Sequence, residues 1–257
     1  MNTKKRVGNA FRYCGGKSRL AMEIHDTIIE IENRLIGKQQ SYFEPFSGAM
    51  SVGFEFASDV KNGSQRTINV CDFNESIINL WRGLKNGELP PKYVSEIEYN
   101  DYKNGNSNMK AFVGSTYSYC ASMFGSYRGR LQSTEQTKKS GLSCYNKLMK
   151  FVPLLEHVNI MDSSNYETFK PNSMTIYCDP PYNTKNNHTN TFLNNFNHEN
   201  FWETMRIWSK TNLVFISEVS DNVPDDFQIV WTKTLRRNFN IKNSSKISVV
   251  ETLSMKK

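Results

Sequence analysis

The sequence predicts an α/β fold with a mostly parallel sheet, and two observations lead to this prediction. Short apolar runs rich in β-branched residues recur along the 257 residues, and helical patterns lie between several of them. The last two runs follow each other without an apolar helical pattern between them, so we expect that pair of strands to be antiparallel. A chain of this length buries a sizeable core without disulfide or metal cross-links.

Seven runs are each predicted to form a strand of about five residues. They are Tyr42–Phe46, Thr67–Cys71, His157–Met161, Met174–Cys178, Leu213–Ser217, Phe227–Trp231 and Ile247–Thr252. Apolar residues spaced by three and four predict helices over Ser18–Leu35, Ser76–Leu84 and Phe201–Lys210. Asn197 or Asn200 is expected to cap the last of these helices.

Composition narrows the class of protein. Hydrophobic residues make up 38% and aromatic residues 12% of the chain, as in globular proteins. No apolar run approaches the roughly 18 residues that span a bilayer, and no secretory signal follows Met1, so we expect an intracellular protein, cytoplasmic or nucleoid-associated, without a membrane partner. The five cysteines form no CxxC pair and the four histidines complete no ligand spacing, which predicts reduced thiols and no metal site.

The net charge of +7 is concentrated in the middle of the chain. Residues 103–150 contain eight lysines and arginines and one glutamate, so this segment carries the entire excess. Such a concentration is typical of proteins that bind polyanions, although a solvated lysine-rich face is the alternative. Residues 85–150 also interrupt the alternation of strands and helices, and we interpret them as an inserted, mainly helical subdomain between residues 1–84 and 151–257.

The most informative motif is the tetrad Asp179-Pro180-Pro181-Tyr182, which follows a predicted strand. Ligands of open α/β sheets bind at the carboxyl ends of the strands. The prolines fix the turn, and the Pro180 carbonyl remains available as an acceptor beside the Asp179 carboxylate. Two acceptors next to an aromatic ring suit a planar amine, which donates both hydrogens while its ring stacks on Tyr182. The alternative is a rigid surface turn.

This tetrad resembles the DPPY signature of DNA amino-methyltransferases, and three further motifs fall in the order that this family has. They are Tyr13-Cys14-Gly15-Gly16-Lys17, Phe43–Val52 and Asn69–Trp81. Together they resemble the D12 class of adenine-specific DNA methyltransferases, in the alpha arrangement that includes the Dam enzymes. The resemblance covers about residues 11–85 and 155–220. It implies a Rossmann-like methyltransferase fold with a mostly parallel seven-stranded sheet and a target-recognition role for residues 85–150.

The resemblance also implies that S-adenosylmethionine is the cofactor. Its binding residues would be Tyr13, Lys17, Glu44, Phe46, Gly48, Asp72, Asp162 and Asp179. Asp72 would accept hydrogen bonds from the ribose, and Asp162 would contact the adenine amino group. Local alternatives stay open, because Asp72 or Asp162 could cap a helix or turn and Lys17 could be a surface cation. The sequence departs from the family at Met50, where members often have glycine.

The implied reaction is methyl transfer to N6 of an adenine flipped out of double-stranded DNA. Asp179, Pro180 and Tyr182 would hold the extruded base. Arg128, Arg130, Lys138 and Lys139 are the candidate DNA contacts, and each arginine could read guanine or clamp a phosphate.

Several alternatives remain open. An aspartate at the first position of the tetrad favours adenine over N4 of cytosine, but methylation of RNA adenine and an inactive homologue that only binds DNA are the rival functions. Resemblance to Dam suggests GATC as the recognition sequence. The sequence does not decide whether a cognate restriction endonuclease exists, or whether the protein is a monomer or a weak dimer.

Overall fold

The computed structural model describes residues 7–182, 196–237 and 247–257. It has seven strands, at the positions that the apolar runs predict. They are β1 (Ser41–Glu44), β2 (Ile68–Val70), β3 (Val158–Ile160), β4 (Met174–Cys178), β5 (Leu213–Val219), β6 (Phe227–Arg237) and β7 (Ile247–Lys256).

The strands form a mixed seven-stranded sheet in the order β3-β2-β1-β4-β5-β7-β6. Parallel pairing joins β2 to β3, β1 to β4 and β4 to β5. β7 is antiparallel to both β5 and β6, which confirms the expected orientation of the last two strands. β6 continues six residues beyond its predicted end, because the polar stretch up to Arg237 pairs with β7 as far as Ile247. The mostly parallel sheet is consistent with a methyltransferase fold.

Seven α-helices are described, with short 3-10 turns between some of them. They are α1 (Ala21–Leu35), α2 (Ser51–Lys61), α3 (Glu75–Lys85), α4 (Glu96–Asn104), α5 (Lys110–Thr116), α6 (Thr134–Met149) and α7 (His198–Trp208). The sequence analysis predicted α1, α3 and α7 and did not predict α2. Asn197 is the residue that caps α7, since its side chain accepts the Asn200 N–H at 3.0 Å.

The chain packs as two compact units. The first unit comprises Met1–His25 and Ser47–Tyr166, and the second comprises Asp26–Phe46 and Glu167–Lys257. Large apolar side chains fill the interior of each. The first unit buries Phe54, Phe56, Trp81 and Phe112, and the second buries Tyr42, Ile176, Tyr177 and Phe215.

Residues 85–150 belong to the first unit, and their elements are helical. α4 begins with a capping box in which the Ser95 and Glu98 side chains and backbone bond reciprocally, and α6 begins with the same device at Ser133 and Gln136. The status of this segment as a recognition insert stays a prediction. None of the described helices is both long and apolar enough to cross a membrane.

Candidate active site

Asp179 and its neighbours follow the most completely buried strand of the second unit. Residues 175–178 of β4 are all buried, and β4 lies between parallel β1 and β5. Asp179 and Tyr182 are half-buried, and Pro180 is buried. The tetrad therefore directly follows a central strand, and its acidic residue is partly shielded from water.

Two buried carboxylates of the same unit interact with tyrosines on β1 and in the tetrad. Glu44 ends β1 and is 2% exposed, and its Oε2 accepts the Tyr42 hydroxyl at 3.0 Å. Glu251 lies on β7, is also 2% exposed, and accepts the Tyr182 hydroxyl through its Oε1. β7 thus reaches the tetrad and fixes the orientation of the Tyr182 ring.

These carboxylates shape the electrostatics around the tetrad. Burial, together with the charges of Glu44 and Asp179, raises the pKa of the Cys178 thiol well above its usual value. Burial and the Asp179 charge act in the same direction on the pKa of Tyr177 and of Tyr182. Cys178 is therefore a neutral core residue rather than a nucleophile. A partly buried group of carboxylates favours a cationic ligand.

In the first unit, the glycine loop before α2 is packed against aromatic side chains. Gly48 has φ +45, and a Cβ at this position would lie 2.8 Å from Cε1 of Tyr13. Trp81, fully buried on α3, donates its Nε1–H to the Gly48 carbonyl at 3.1 Å. Glycine is required here because the Tyr13 ring occupies the space of a side chain.

Met50 has a backbone conformation that favours glycine. It has φ 53 and ψ 32, in the left-handed region, and it is the residue immediately before α2. Glycine adopts this conformation without strain, whereas methionine does so at a cost. The Met50 side chain is fully buried.

Asp72, two residues after β2, is joined to this loop. Its Oδ2 accepts the Gly48 N–H and its Oδ1 accepts the Asn74 N–H, both at 2.8 Å. Burial raises the pKa of Asp72 to about 6, and these two hydrogen bonds oppose the rise. Asn74 is the residue that caps α3, so the helix-cap interpretation of Asp72 is wrong. Each Asp72 oxygen retains a lone pair for a ligand hydroxyl.

Two buried hydroxyls at the loop could form hydrogen bonds with a polar ligand. The Oγ atoms of Ser47 and Ser51 are buried, and no residue in the described part of the chain forms a hydrogen bond with either. An unsatisfied buried hydroxyl is costly, so a bound ligand that supplies partners fits this loop. With the fixed Asp72 carboxylate, these hydroxyls suit a molecule that carries several hydroxyl and amine groups.

The remaining cofactor candidates have distinct surroundings. Lys17 is 9% exposed and its Nζ lies 3.4 Å from the Gly15 carbonyl, so it is not the surface cation of the alternative interpretation. In the second unit, Phe46 packs edge-on against Phe196 and Phe201, with ring centroids 6.0 and 5.8 Å away. Asp162, in the first unit, is exposed and accepts a hydrogen bond from Arg82 at 2.7 Å.

The four candidate DNA contacts lie in the first unit, and three of them have protein partners. Arg130 donates its Nε–H to Glu96 Oε1 at 2.6 Å. Lys138 lies over the Tyr93 ring, 5.4 Å from its centroid, and Lys139 is 3.7 Å from Glu135 one turn earlier. Arg128 is half-buried, and its backbone N–H donates to the Tyr117 carbonyl.

The sequence analysis assigned no role to three residues that follow a candidate site residue or bond to one. Phe73, which follows Asp72, is 67% exposed although it is aromatic. Arg82 and Glu251 bond to Asp162 and Tyr182 across 80 and 69 residues of sequence. A large apolar residue directly after an acidic strand end is a usable signal for Phe73. The other two contacts depend on tertiary packing and leave no local pattern.

Comparison with known proteins is consistent with these observations. No curated protein sequence matches the chain. The family model of the D12 class N6 adenine-specific DNA methyltransferases matches residues 13–154, which contain the glycine loop, Asp72 and the basic segment. The match ends before the tetrad, so the tetrad is an independent observation. Because the match covers more than half of its length, the chain belongs to the D12 class of N6 adenine-specific DNA methyltransferases.

Proposed function

We propose that this protein transfers a methyl group from S-adenosylmethionine to N6 of an adenine that is flipped out of double-stranded DNA. Membership of the family implies methylation of DNA adenine at N6. The observation that carries the rest of the proposal is the position of Asp179 and Pro180. They follow the central buried strand β4, in a unit whose partly buried carboxylates favour a positive charge.

The candidate groups for the nucleoside part of the cofactor lie in the first unit. Asp72 would accept the ribose hydroxyls, and Phe73 would cover a face of the adenine ring. Ser47 and Ser51 would gain the hydrogen-bond partners that they otherwise lack. Tyr13 packs against Gly48 of the loop, and Lys17 is a further candidate in the same unit. In the second unit, Glu44 and Phe46 are the candidates for the methionine part.

Catalysis would rest on positioning and electrostatics. When bound, S-adenosylmethionine supplies a methyl group on a positively charged sulfur, which leaves as a neutral thioether. The amine of adenine is a poor nucleophile because its lone pair is delocalised into the ring. Asp179 and the Pro180 carbonyl would each accept one N–H, which localises that lone pair on nitrogen. The Asp179 carboxylate would also stabilise the positive charge that develops on nitrogen as the C–S bond breaks and the N–C bond forms. The methylated nitrogen would then lose one N–H proton to water, which restores a neutral amine.

Tyr182 would stack on the extruded base. Its hydroxyl bonds to the buried Glu251, so the ring is held in one orientation before DNA binds. Base flipping costs unstacking energy, and a rigid aromatic surface recovers part of it. Arg128, Arg130, Lys138 and Lys139 would contact the DNA. GATC is the recognition sequence that resemblance to Dam suggests, and RNA adenine is the alternative substrate.

The test is Asp179→Asn, which keeps the size of the side chain and removes its charge. We expect methyl transfer to unmethylated DNA to fall by at least about a hundredfold, as when a transition-state contact is lost, while the dissociation constant for DNA changes little. Asp225→Asn is the matched control, because Asp225 is an exposed aspartate of the same unit. Near-normal turnover by Asp179→Asn would exclude the proposed mechanism.

A further inference from the structure

The segment after β3 is joined to the segment after β2. The Cys71 thiol donates to the Asp162 carbonyl at 3.1 Å, and the Ser163 hydroxyl donates to the Phe73 carbonyl at 3.1 Å. The Ser164 N–H donates to the Asp72 carbonyl at 3.3 Å. These bonds connect the backbones that carry Asp72 and Asp162, so the two acidic residues belong to one frame.

The backbone bonds do not fix the Asp162 side chain, which is 92% exposed. Arg82 of α3 contacts this side chain. Its Nη2 lies 2.7 Å from Asp162 Oδ1 and 3.3 Å from the Ile160 carbonyl. An exposed ion pair adds little to stability. Because the Arg82 Nη2 is also anchored on a strand carbonyl, its hydrogen bond to Oδ1 nevertheless favours one orientation of the carboxylate.

Lys85, one turn further along α3, also bonds to the edge strand and therefore serves as a comparison for Arg82. Its Nζ lies 2.6 Å from the Val158 carbonyl. Both cations therefore bond to carbonyls of β3, which is an edge strand of the sheet, and both help to cover that edge. In the described contacts, Arg82 bonds to a carboxylate as well, whereas Lys85 bonds to the strand alone.

We propose that Arg82 is a positioning residue for recognition of the adenine part of the cofactor, an inference that rests on the proposed function. Arg82 occupies Asp162 Oδ1 and turns Oδ2 toward the ligand, where it accepts a hydrogen bond from the exocyclic amine of adenine. The selection of adenine over a purine that lacks this amine then depends on Arg82 as well as on Asp162.

The test measures binding, independently of turnover, with two probes. S-adenosylhomocysteine carries the amine, and S-inosylhomocysteine has a carbonyl in its place. Isothermal titration of the full chain should show a preference of about tenfold for the adenine compound, the value of one good hydrogen bond. Arg82→Met should reduce this preference to less than about threefold, and Arg82→Lys should retain part of it.

Lys85→Met is the matched control, since it removes a bond to the edge strand and leaves Asp162 untouched. It should keep the wild-type preference, and thermal unfolding of each variant reports whether the fold survives. An unchanged preference in Arg82→Met overturns the inference. An equal loss in Lys85→Met also overturns it, because the effect would then come from the strand edge.

Two outcomes for the wild-type protein separate the inference from the proposed function. If the wild-type chain binds both probes equally, Asp162 does not read the amine and the inference fails, while cofactor binding stands. If it binds neither probe, the proposed function itself fails and the inference falls with it.

Discussion

At the scale of single residues, acidic side chains at similar places in the chain have different surroundings. Asp72 is half-buried and fixed by two backbone N–H groups, and its pKa rises to about 6 because burial disfavours its charge. Asp162 is exposed and paired with Arg82. Asp179 lies beside a neutral thiol and neutral phenols. The sequence alone shows three aspartates after strands and does not reveal these differences in burial and hydrogen bonding.

The raised pKa of Asp72 predicts that cofactor affinity depends on pH. The carboxylate accepts ribose hydroxyls better than the neutral acid, so affinity should fall as the pH drops through about 6. Below that point the loss approaches about tenfold per pH unit if only the ionised form binds. Titration of S-adenosylhomocysteine between about pH 8 and about pH 5 measures this change in affinity. Asp72→Asn should bind more weakly, and its affinity should not change with pH over this range.

The raised pKa of Asp72 also makes the free energy of unfolding depend on pH. The folded protein binds the Asp72 proton more tightly than the unfolded chain, so ionisation of this group opposes folding. Its destabilising contribution grows as the pH rises from about 4 to about 6 and is then constant. Asp72→Asn should lack this contribution.

The binding prediction has a clear contrary outcome. If the cofactor affinity of the wild-type protein is the same above and below pH 6, and Asp72→Asn binds with the same affinity, the assignment of Asp72 is contradicted.

At the scale of secondary-structure elements, the sequence predicted strands better than helices. All seven strands occur because each is a short apolar run with polar neighbours. α2 was missed because its start follows a tight loop in which Gly48 and Met50 both have positive φ, and no capping side chain marks it. β6 is longer than predicted because its polar second half pairs with β7, a pairing that local hydrophobicity does not report.

Helix α6 presents one polar stripe that fits a nucleic-acid backbone. A shallow cavity of about 400 Å³ is lined by residues three and four apart on this helix, namely Lys139, Leu142, Ser143, Asn146 and Lys147, and by Lys150 just after it. Three cations therefore share one face with two hydrogen-bonding side chains. Proteins commonly contact DNA phosphates with this combination of side chains.

The stripe predicts the salt dependence of DNA binding. Replacing Lys139, Lys147 and Lys150 together by alanine should reduce the slope of log affinity against log salt by roughly 0.9 for each phosphate contact that is lost, hence by about two to three in all. Fluorescence anisotropy with a labelled duplex, repeated across salt concentrations, measures this slope.

The control for this prediction is Lys210→Ala, which removes an exposed positive charge from the second unit. Its slope should match that of the wild-type protein. If the triple variant keeps the wild-type slope, the α6 stripe does not contact DNA.

At the scale of the whole molecule, the order of motifs and the distribution of charge were readable from the sequence, and the family match covers the first three motifs and the basic segment. The mostly parallel sheet followed from the alternation of elements. The contacts of Arg82 with Asp162 and of Glu251 with Tyr182 were not readable, because they join positions far apart in the chain. The chain also packs as two compact units whose boundaries fall after His25, Phe46 and Tyr166, and the sequence analysis did not predict these boundaries.

The central claim is that Asp179 and Pro180 hold an adenine amine for methylation, and the most direct measurement identifies the product. Duplex DNA is incubated with the protein and S-adenosylmethionine, digested to nucleosides, and analysed by mass spectrometry. We predict N6-methyldeoxyadenosine with the wild-type protein and with Asp225→Asn, and almost none with Asp179→Asn. Methylated cytosine, or equal amounts of N6-methyldeoxyadenosine from Asp179→Asn, would contradict the account.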